Sequence, residues 1–149
     1  MVENNYNALK LEKQLCFPLY ACSREMIKLY KPCLEPLDLT YTQYVTMLVL
    51  WEEHTVNVKE LGARLHLDSG TLTPLLKKLE GKGLVVRKRS TFDERNLLIS
   101  LTAQGEALKE QAMNIPAQMA QCLNLTREES RELYRILYKM LAYSDELSV

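Results

Sequence analysis

Four thiols and one cationic stretch carry most of the reactive chemistry in this chain of 149 residues. The thiols are Cys16, Cys22, Cys33 and Cys122. A cysteine can be a nucleophile, a metal ligand, half of a disulfide or a small hydrophobe, and the thiolate is its reactive form. No two of these cysteines form a C-x-x-C pair and the chain has only 2 histidines, which argues against a zinc site. The amino terminus, MVENNYNALKLEKQL, offers acids and amides but no apolar signal core. A secreted disulfide framework is therefore not expected, and the expected location is the cytoplasm. Cys16 lies between Leu15 and Phe17, in apolar company.

The second feature is charge. The 19 basic and 19 acidic side chains cancel, which excludes a polybasic tail or a uniformly cationic coat. The cancellation is not local. Residues 59–95 hold nine bases (Lys59, Arg64, Lys77, Lys78, Lys82, Arg87, Lys88, Arg89 and Arg95) against five acids (Glu60, Asp68, Glu80, Asp93 and Glu94), and the flanks are correspondingly anionic. Solvated helix faces and a polyanion footprint both fit that distribution. With 47% apolar and 26% charged residues the chain reads as one globular domain. The apolar stretch at 45–51 is far short of the roughly 20 residues that span a bilayer, so no membrane association is expected.

The elements that must position these groups follow from periodicity. Leu11, Leu15, Leu19, Cys22, Met26 and Tyr30 recur at steps of three and four, predicting a helix over about 8–30. Pro18 lies inside it and predicts a kink, while Pro32 and Pro36 predict a break with Cys33 in the link. A second helix from about Thr42 carries Tyr44, Val45, Met47, Leu48, Leu50 and Trp51 and reads as the buried centre. Asn57 with Glu60 three residues on predicts the cap of a short helix bearing Leu61, Leu65 and Leu67. In SGTLTPLLKKLEGKG, Leu72, Leu75, Leu76 and Leu79 form an inward face, and Ser69, Thr71, Thr73, Pro74, Lys77 and Lys78 point outward. Gly81 and Gly83 end that helix. Residues 84–89 and 96–101 predict paired strands around the tip STFDER. Thr102 predicts the cap of a long helix reaching about Leu123. Thr126 and Glu129 predict a capping box for a last helix striped by Leu133, Ile136, Leu137, Met140 and Leu141. There is no internal repeat and no low-complexity segment.

Two short helices joined by a tight turn and followed by a basic hairpin spell a winged helix-turn-helix. The expected fold is mainly α (α+β): a winged unit over 40–101 with added N- and C-terminal helices, 8–36 and 103–147, for dimerisation. Double-stranded operator DNA is the expected partner. The outward hydroxyls and lysines of the second helix face the major groove, and Arg87, Lys88, Arg89 and Arg95 reach the flanking minor groove. Lys77 and Lys78 as a merely solvated helix edge is the competing reading. The apolar stripes of the outer helices pack either on a second copy, giving a homodimer, or on the protomer's own core.

The whole chain resembles the MarR family of bacterial transcription regulators, and within it the organic hydroperoxide resistance repressors. The resemblance rests on KLEKQLCFPLYACSREM (10–26), LTYTQY (39–44), LDSGTLTPLLKKLE (67–80) and RKRSTFDERNLLISLT (87–102). It implies that Asp93 holds the wing shape while Arg95 probes the minor groove. It also implies that Cys16 is oxidised by organic hydroperoxide to a sulfenic acid, supported by Tyr20, Tyr30 and Tyr41, the last two hydrogen-bonding across the dimer. Cys122 lies about where two-cysteine members carry a resolving thiol, which implies a disulfide from Cys16 to Cys122 of the other subunit. A small cellular thiol is the alternative partner. Cys22 and Cys33 are read as structural, with Cys22 the weaker backup. The sequence departs from the family pattern at Pro18. The function implied is a redox-sensing repressor without metal or cofactor, not an enzyme. A MarR-type regulator induced by a phenolic ligand is one alternative. A thiol peroxidase is another, ranked last because no Arg or Thr adjoins Cys16 to polarise a peroxide.

Overall fold

The computed structural model describes residues 6–93 and 95–147, with side chains through residue 144. Residues 1–5, part of the amino-terminal reading above, and Glu94 of the wing tip lie outside the described residues. The helices are α1 (Cys16–Leu34), α2 (Tyr41–Glu53), α3 (Val58–Leu65), α4 (Ser69–Gly81), α5 (Ala103–Ala112), α6 (Ile115–Cys122) and α7 (Arg127–Leu147). The strands are β1 (Thr55–Asn57), β2 (Val85–Arg89) and β3 (Leu97–Leu101). They form one antiparallel sheet in the order β1-β3-β2. The chain divides into two compact units, meeting in sequence between Met113 and Asn114. No helix among the described residues is long and apolar enough to cross a membrane.

The first unit is built around α2. Thr40 opens it with a capping box: its hydroxyl accepts from the Gln43 amide, and the Gln43 side chain accepts from the Thr40 amide. Tyr44, Met47, Leu50 and Trp51 are buried as expected, although Leu48 is exposed. The buried Thr46 hydroxyl donates back to the Thr42 carbonyl at 2.8 Å, so the core carries no orphan there. Leu61, Leu72, Leu76, Leu79 and Ile99 complete the centre, each fully buried and each contributing roughly 1.5 to 3 kcal/mol by leaving water. Val56 of β1 pairs with Ile99, and Arg87 of β2 pairs with the same residue from the other side. The indole N–H of Trp51 donates to the Gly105 carbonyl at 2.8 Å, locking α2 to α5. A Cβ at Gly105 would collide with the Leu84 carbonyl, so only glycine fits.

The structure corrects several expectations in this unit. The first helix begins at Cys16, preceded by 3-10 turns at Tyr6–Leu9 and Leu11–Lys13, and it ends at Leu34. Pro18 is thus the third residue of α1. Its missing N–H would have had no partner in the first turn, so it does not interrupt the helix. Pro32 does not break the chain either, because α1 runs through it and places Cys33 in its last turn. The stop comes after a 3-10 turn containing Pro36, at Asp38, which adopts a left-handed φ of 52°. Leu67 lies past the end of α3, in the turn to α4. The α1 stripe is not covered: Leu34 is the one buried residue of its nineteen.

The single helix predicted from Thr102 to Leu123 is two. The first of them, α5, ends at Ala112. The second, α6, starts at Ile115 with Pro116 in its first turn, since a proline inside one continuous helix would cost about 3 kcal/mol. Cys122 is the last residue of α6, which belongs with α7 to the second unit. The capping box before α7 is present, with Thr126 Oγ1 accepting from the Glu129 amide at 3.2 Å and Glu129 Oε2 accepting from the Thr126 amide at 2.8 Å. Along α7, Leu133, Ile136, Met140 and Leu141 are exposed.

Candidate nucleic-acid interface and sensor thiol

Helix α4 presents two faces. Leu72, Leu75, Leu76 and Leu79 are buried, while Ser69, Thr71, Thr73, Pro74, Lys77 and Lys78 are all exposed. Its N-terminus is fixed by Asp68, a cap not anticipated from the sequence, which accepts from the Thr71 amide at 2.8 Å and the Thr71 hydroxyl at 3.3 Å. Those bonds, the amide first, hold the Asp68 carboxyl below its ordinary range. The pattern D-x-x-T just before an apolar run was the available signal. Thr73 donates its hydroxyl to the Ser69 carbonyl at 2.8 Å. Lys77 and Lys78, on the exposed face, carry their ammonium groups into solvent.

The preceding helix is tied down separately. Arg64 donates to Glu53 at 2.8 Å and to Glu52 at 2.7 Å, joining α3 to the end of α2. Asn57 caps α3 as expected, accepting from the Glu60 amide at 2.8 Å. These two contacts and the shared leucine core orient the helix pair.

The hairpin is the wing. Asp93 accepts from the Arg95 amide at 3.0 Å and from the Asn96 side chain at 3.3 Å, and its carbonyl accepts from the Asn96 amide at 2.9 Å. The turn is thus organised around one carboxylate. The Arg95 side chain is 94% exposed, with its Nε 3.5 Å from Asp93 Oδ1. Lys88 and Arg89 are exposed on β2. Arg87 differs from its neighbours: its guanidinium is engaged with Glu80 of α4 and only 25% of its side chain is accessible. The structure gives Arg87 the work of joining wing to helix rather than of reaching outward.

The four thiols are scattered. Cys16, Cys22 and Cys122 are exposed and Cys33 is half-buried, and none of the four is in a disulfide. Cys16 opens α1, where the amide end of the helix dipole favours negative charge. Its neighbours Leu15 and Phe17 line an open groove of about 1030 Å³ with Leu11 and Pro18. Among the described residues no His, Cys, Asp and Glu converge as a metal-binding group.

The three tyrosines separate into two places. Tyr20 lies one turn past Cys16 and accepts a hydrogen bond from Arg24 at 3.2 Å, with the same guanidinium 5.6 Å over its ring. Tyr30 and Tyr41 meet at the far end of α1, ring centroids 4.8 Å apart, and Tyr44 joins them at 5.8 Å from Tyr30. Burial, reinforced at Tyr30 and Tyr44 by the neighbouring phenols and Cys33, raises the pKa of all three above the ordinary phenol value. They are neutral hydrogen-bond donors at physiological pH. Tyr30 lies fourteen positions after Cys16 along one helix, about 21 Å of axial rise. One protomer therefore cannot bring that sulfur to that phenol.

Comparison with known proteins gives consistent results. The family described as transcriptional regulator SarA/Rot matches residues 28–112. The organic hydroperoxide resistance transcriptional regulator of Bacillus subtilis is 51% identical over 140 residues, covering 94% of this chain and 95% of the other. AbfR of Staphylococcus epidermidis is similar in several solved states. Reduced and bound to DNA it superposes with a TM-score of 0.76 at 35% identity, covering 92% of this chain and 96% of the other. In its disulfide form the score is 0.61 at 36% identity, covering 94% and 95%. A cysteine-to-serine mutant of Escherichia coli MarR complexed with operator DNA superposes at 0.80 with 30% identity, covering 93% and 99%.

Proposed function

The chain belongs to the MarR-type transcriptional regulators, among the SarA/Rot and organic hydroperoxide resistance regulators, and on that premise we propose that it is a repressor whose grip on operator DNA is released by oxidation of Cys16. The observation that carries the reading is a pairing within one fold. A recognition helix and wing expose Ser69, Thr71, Thr73, Lys77, Lys78 and Arg95, and an exposed thiol begins α1 of the same chain. Ser69, Thr71, Thr73 and Pro74 present a low, polar surface to the major groove, while Lys77, Lys78, Lys88 and Arg89 meet phosphates. Arg95 enters the minor groove, its backbone aimed by Asp93. Arg87 supports the wing from behind.

The working form is a homodimer through residues 8–36 and 103–147. The uncovered apolar stripe of α1 and the exposed one of α7 support it. So does the distance of about 21 Å that parts Cys16 from Tyr30 in one chain, since a second copy can bring the Tyr30–Tyr41 pair to the sulfur. The Cys16 thiolate attacks the terminal oxygen of an organic hydroperoxide. The O–O bond breaks, the sulfur takes the hydroxyl to become a sulfenic acid, and the alkoxide leaves and takes a proton from water to give the alcohol. Tyr20 stands one turn away on the same helix face. The Cys122 thiolate of a second copy then attacks the oxidised sulfur, expelling hydroxide and forming a disulfide. That bond demands Cα atoms within roughly 7 Å, so the helices carrying them must shift and the recognition helices with them. AbfR, solved reduced on DNA and in a disulfide form, offers a parallel in a relative.

The test is operator binding with and without an organic hydroperoxide. The native chain is expected to release the duplex, and Cys16→Ser to stay bound under the same treatment. Release by the serine variant would overturn the reading, and release by a phenol without oxidant would favour ligand induction instead. On a non-reducing gel the oxidised protein should run as a crosslinked dimer that both Cys16→Ser and Cys122→Ser abolish.

A further inference from the structure

The wing tip holds a side chain that the cationic reading leaves unused. Phe92 is fully exposed at 100%, the most exposed apolar side chain among the described residues. The other large exposed apolar groups gather mostly on the amino-terminal turns, α1 and α7, where they form continuous stripes. Phe92 belongs to neither stripe. Its backbone is held all the same: its amide donates to the Ser90 hydroxyl at 3.2 Å, and the Ser90 amide donates to the Asn96 carbonyl at 2.8 Å across the hairpin. The turn that Asp93 organises for Arg95 therefore also fixes the stem of the phenyl ring, three residues away.

We infer that Phe92 is an apolar contact to DNA, seated in the minor groove against the sugar walls beside Arg95. The inference rests on the reading that the wing meets the duplex. Phe92 lies in the turn between exposed Lys88 on β2 and exposed Arg95 in the same turn ahead of β3, so the surface it meets is one anionic at its edges and apolar at its centre. A minor groove has that character, with phosphates along its rims and deoxyribose C–H groups lining its walls. At about 6 Å wide it admits a phenyl ring edge-on. Minor-groove proteins do bring apolar side chains, Phe among them, into that groove, there as wedges between base steps. The contact is made by burial rather than by charge, and it releases water from the ring rather than cations from the phosphates.

That difference supplies the experiment. Affinity for an operator duplex is measured across a series of salt concentrations for the native chain, Phe92→Ala and Arg95→Ala. Phe92→Ala is expected to bind roughly tenfold more weakly at every salt concentration, in keeping with partial burial of a phenyl ring. Its line of log affinity against log salt should run parallel to the native one. Arg95→Ala should bind more weakly with a shallower line. A second readout is the indole introduced by Phe92→Trp, whose emission should shift to the blue on adding duplex, against the constant background of buried Trp51. Native affinity in Phe92→Ala, or an indole whose emission ignores DNA, would overturn the inference and leave the ring to a protein partner. If Arg95→Ala also binds as the native chain does, the wing itself does not touch DNA and the underlying reading falls with it.

Discussion

Arg87 closes on Glu80 so that its Nη2 and Nε lie 2.7 and 2.8 Å from the same carboxylate oxygen, while its own backbone amide donates to the other oxygen at 3.1 Å. Three bonds thus cross from the second strand to the helix before it. They fix how the wing stands relative to the exposed face of α4.

Acid should open this junction. The hydrogen bond from the Arg87 side chain, then that from its amide, holds the Glu80 carboxyl below the usual carboxylate range. A group whose folded value is depressed stabilises the fold above its unfolded value, near ~4.3, and loses that contribution as pH falls through the lower folded value. Glu80→Gln should therefore lower the melting temperature at neutral pH, with the gap from the native chain closing below about pH 4. A gap that persists unchanged into acid would show that the charge on Glu80 does not matter.

Alkali should act on the tyrosine cluster with the opposite sign. The phenols of Tyr30, Tyr41 and Tyr44 are raised, burial being the first cause in each. Their contribution is complete below the unfolded value of about 10 and is lost as pH climbs toward the folded ones. Tyr30, Tyr41 and Tyr44 should ionise late in a spectrophotometric titration at constant fold, as should Tyr134, which its hydrogen bond with Tyr138 raises, and Tyr41→Phe should remove one late proton. A single common titration step for all would contradict the burial.

Gly105 offers a test of packing alone. A methyl there would run into the Leu84 carbonyl and press on a Leu101 methyl group, at the residue whose carbonyl receives the Trp51 indole. Gly105→Ala should destabilise the fold by roughly 2 to 3 kcal/mol, seen as a lower urea midpoint with an unchanged slope. Gly81, where a Cβ meets nothing, is the control and should tolerate the same change with little loss.

Much of this architecture is readable in the residues because it is local. Leu72, Leu75, Leu76 and Leu79 name their own face by spacing, and Thr126 with Glu129 announces a helix start. The hairpin strands fall within a residue of their expected ends. What escapes depends on geometry that spacing does not encode. Strand β1 has three residues, too few to show an alternation, and exists because Val56 falls opposite Ile99. Pro18 reads as a kink only if α1 starts well before Cys16, and the same proline in a first turn is harmless. Pro116 divides a helix that the cap at Thr102 alone would have continued. Among the site residues, the outward face of α4 is legible because the leucine spacing is short-range, while the Asp93 turn is expected through the family resemblance alone. The role of Arg87 is not legible, because its partner Glu80 lies on a different element. Nor does the sequence separate Tyr20 from the Tyr30–Tyr41 pair, a division that only the length of α1 imposes.

The start of α1 has one more implication. Leu15, at the cap position, gives no side-chain bond to the first turn, where the Phe17 amide donates to the Gln14 carbonyl at 3.3 Å. Terminal turns are the segments that unravel at least expense. The sulfur is therefore mounted on an end rung of its ladder, where a few residues can fray while the rest of the rod keeps its shape.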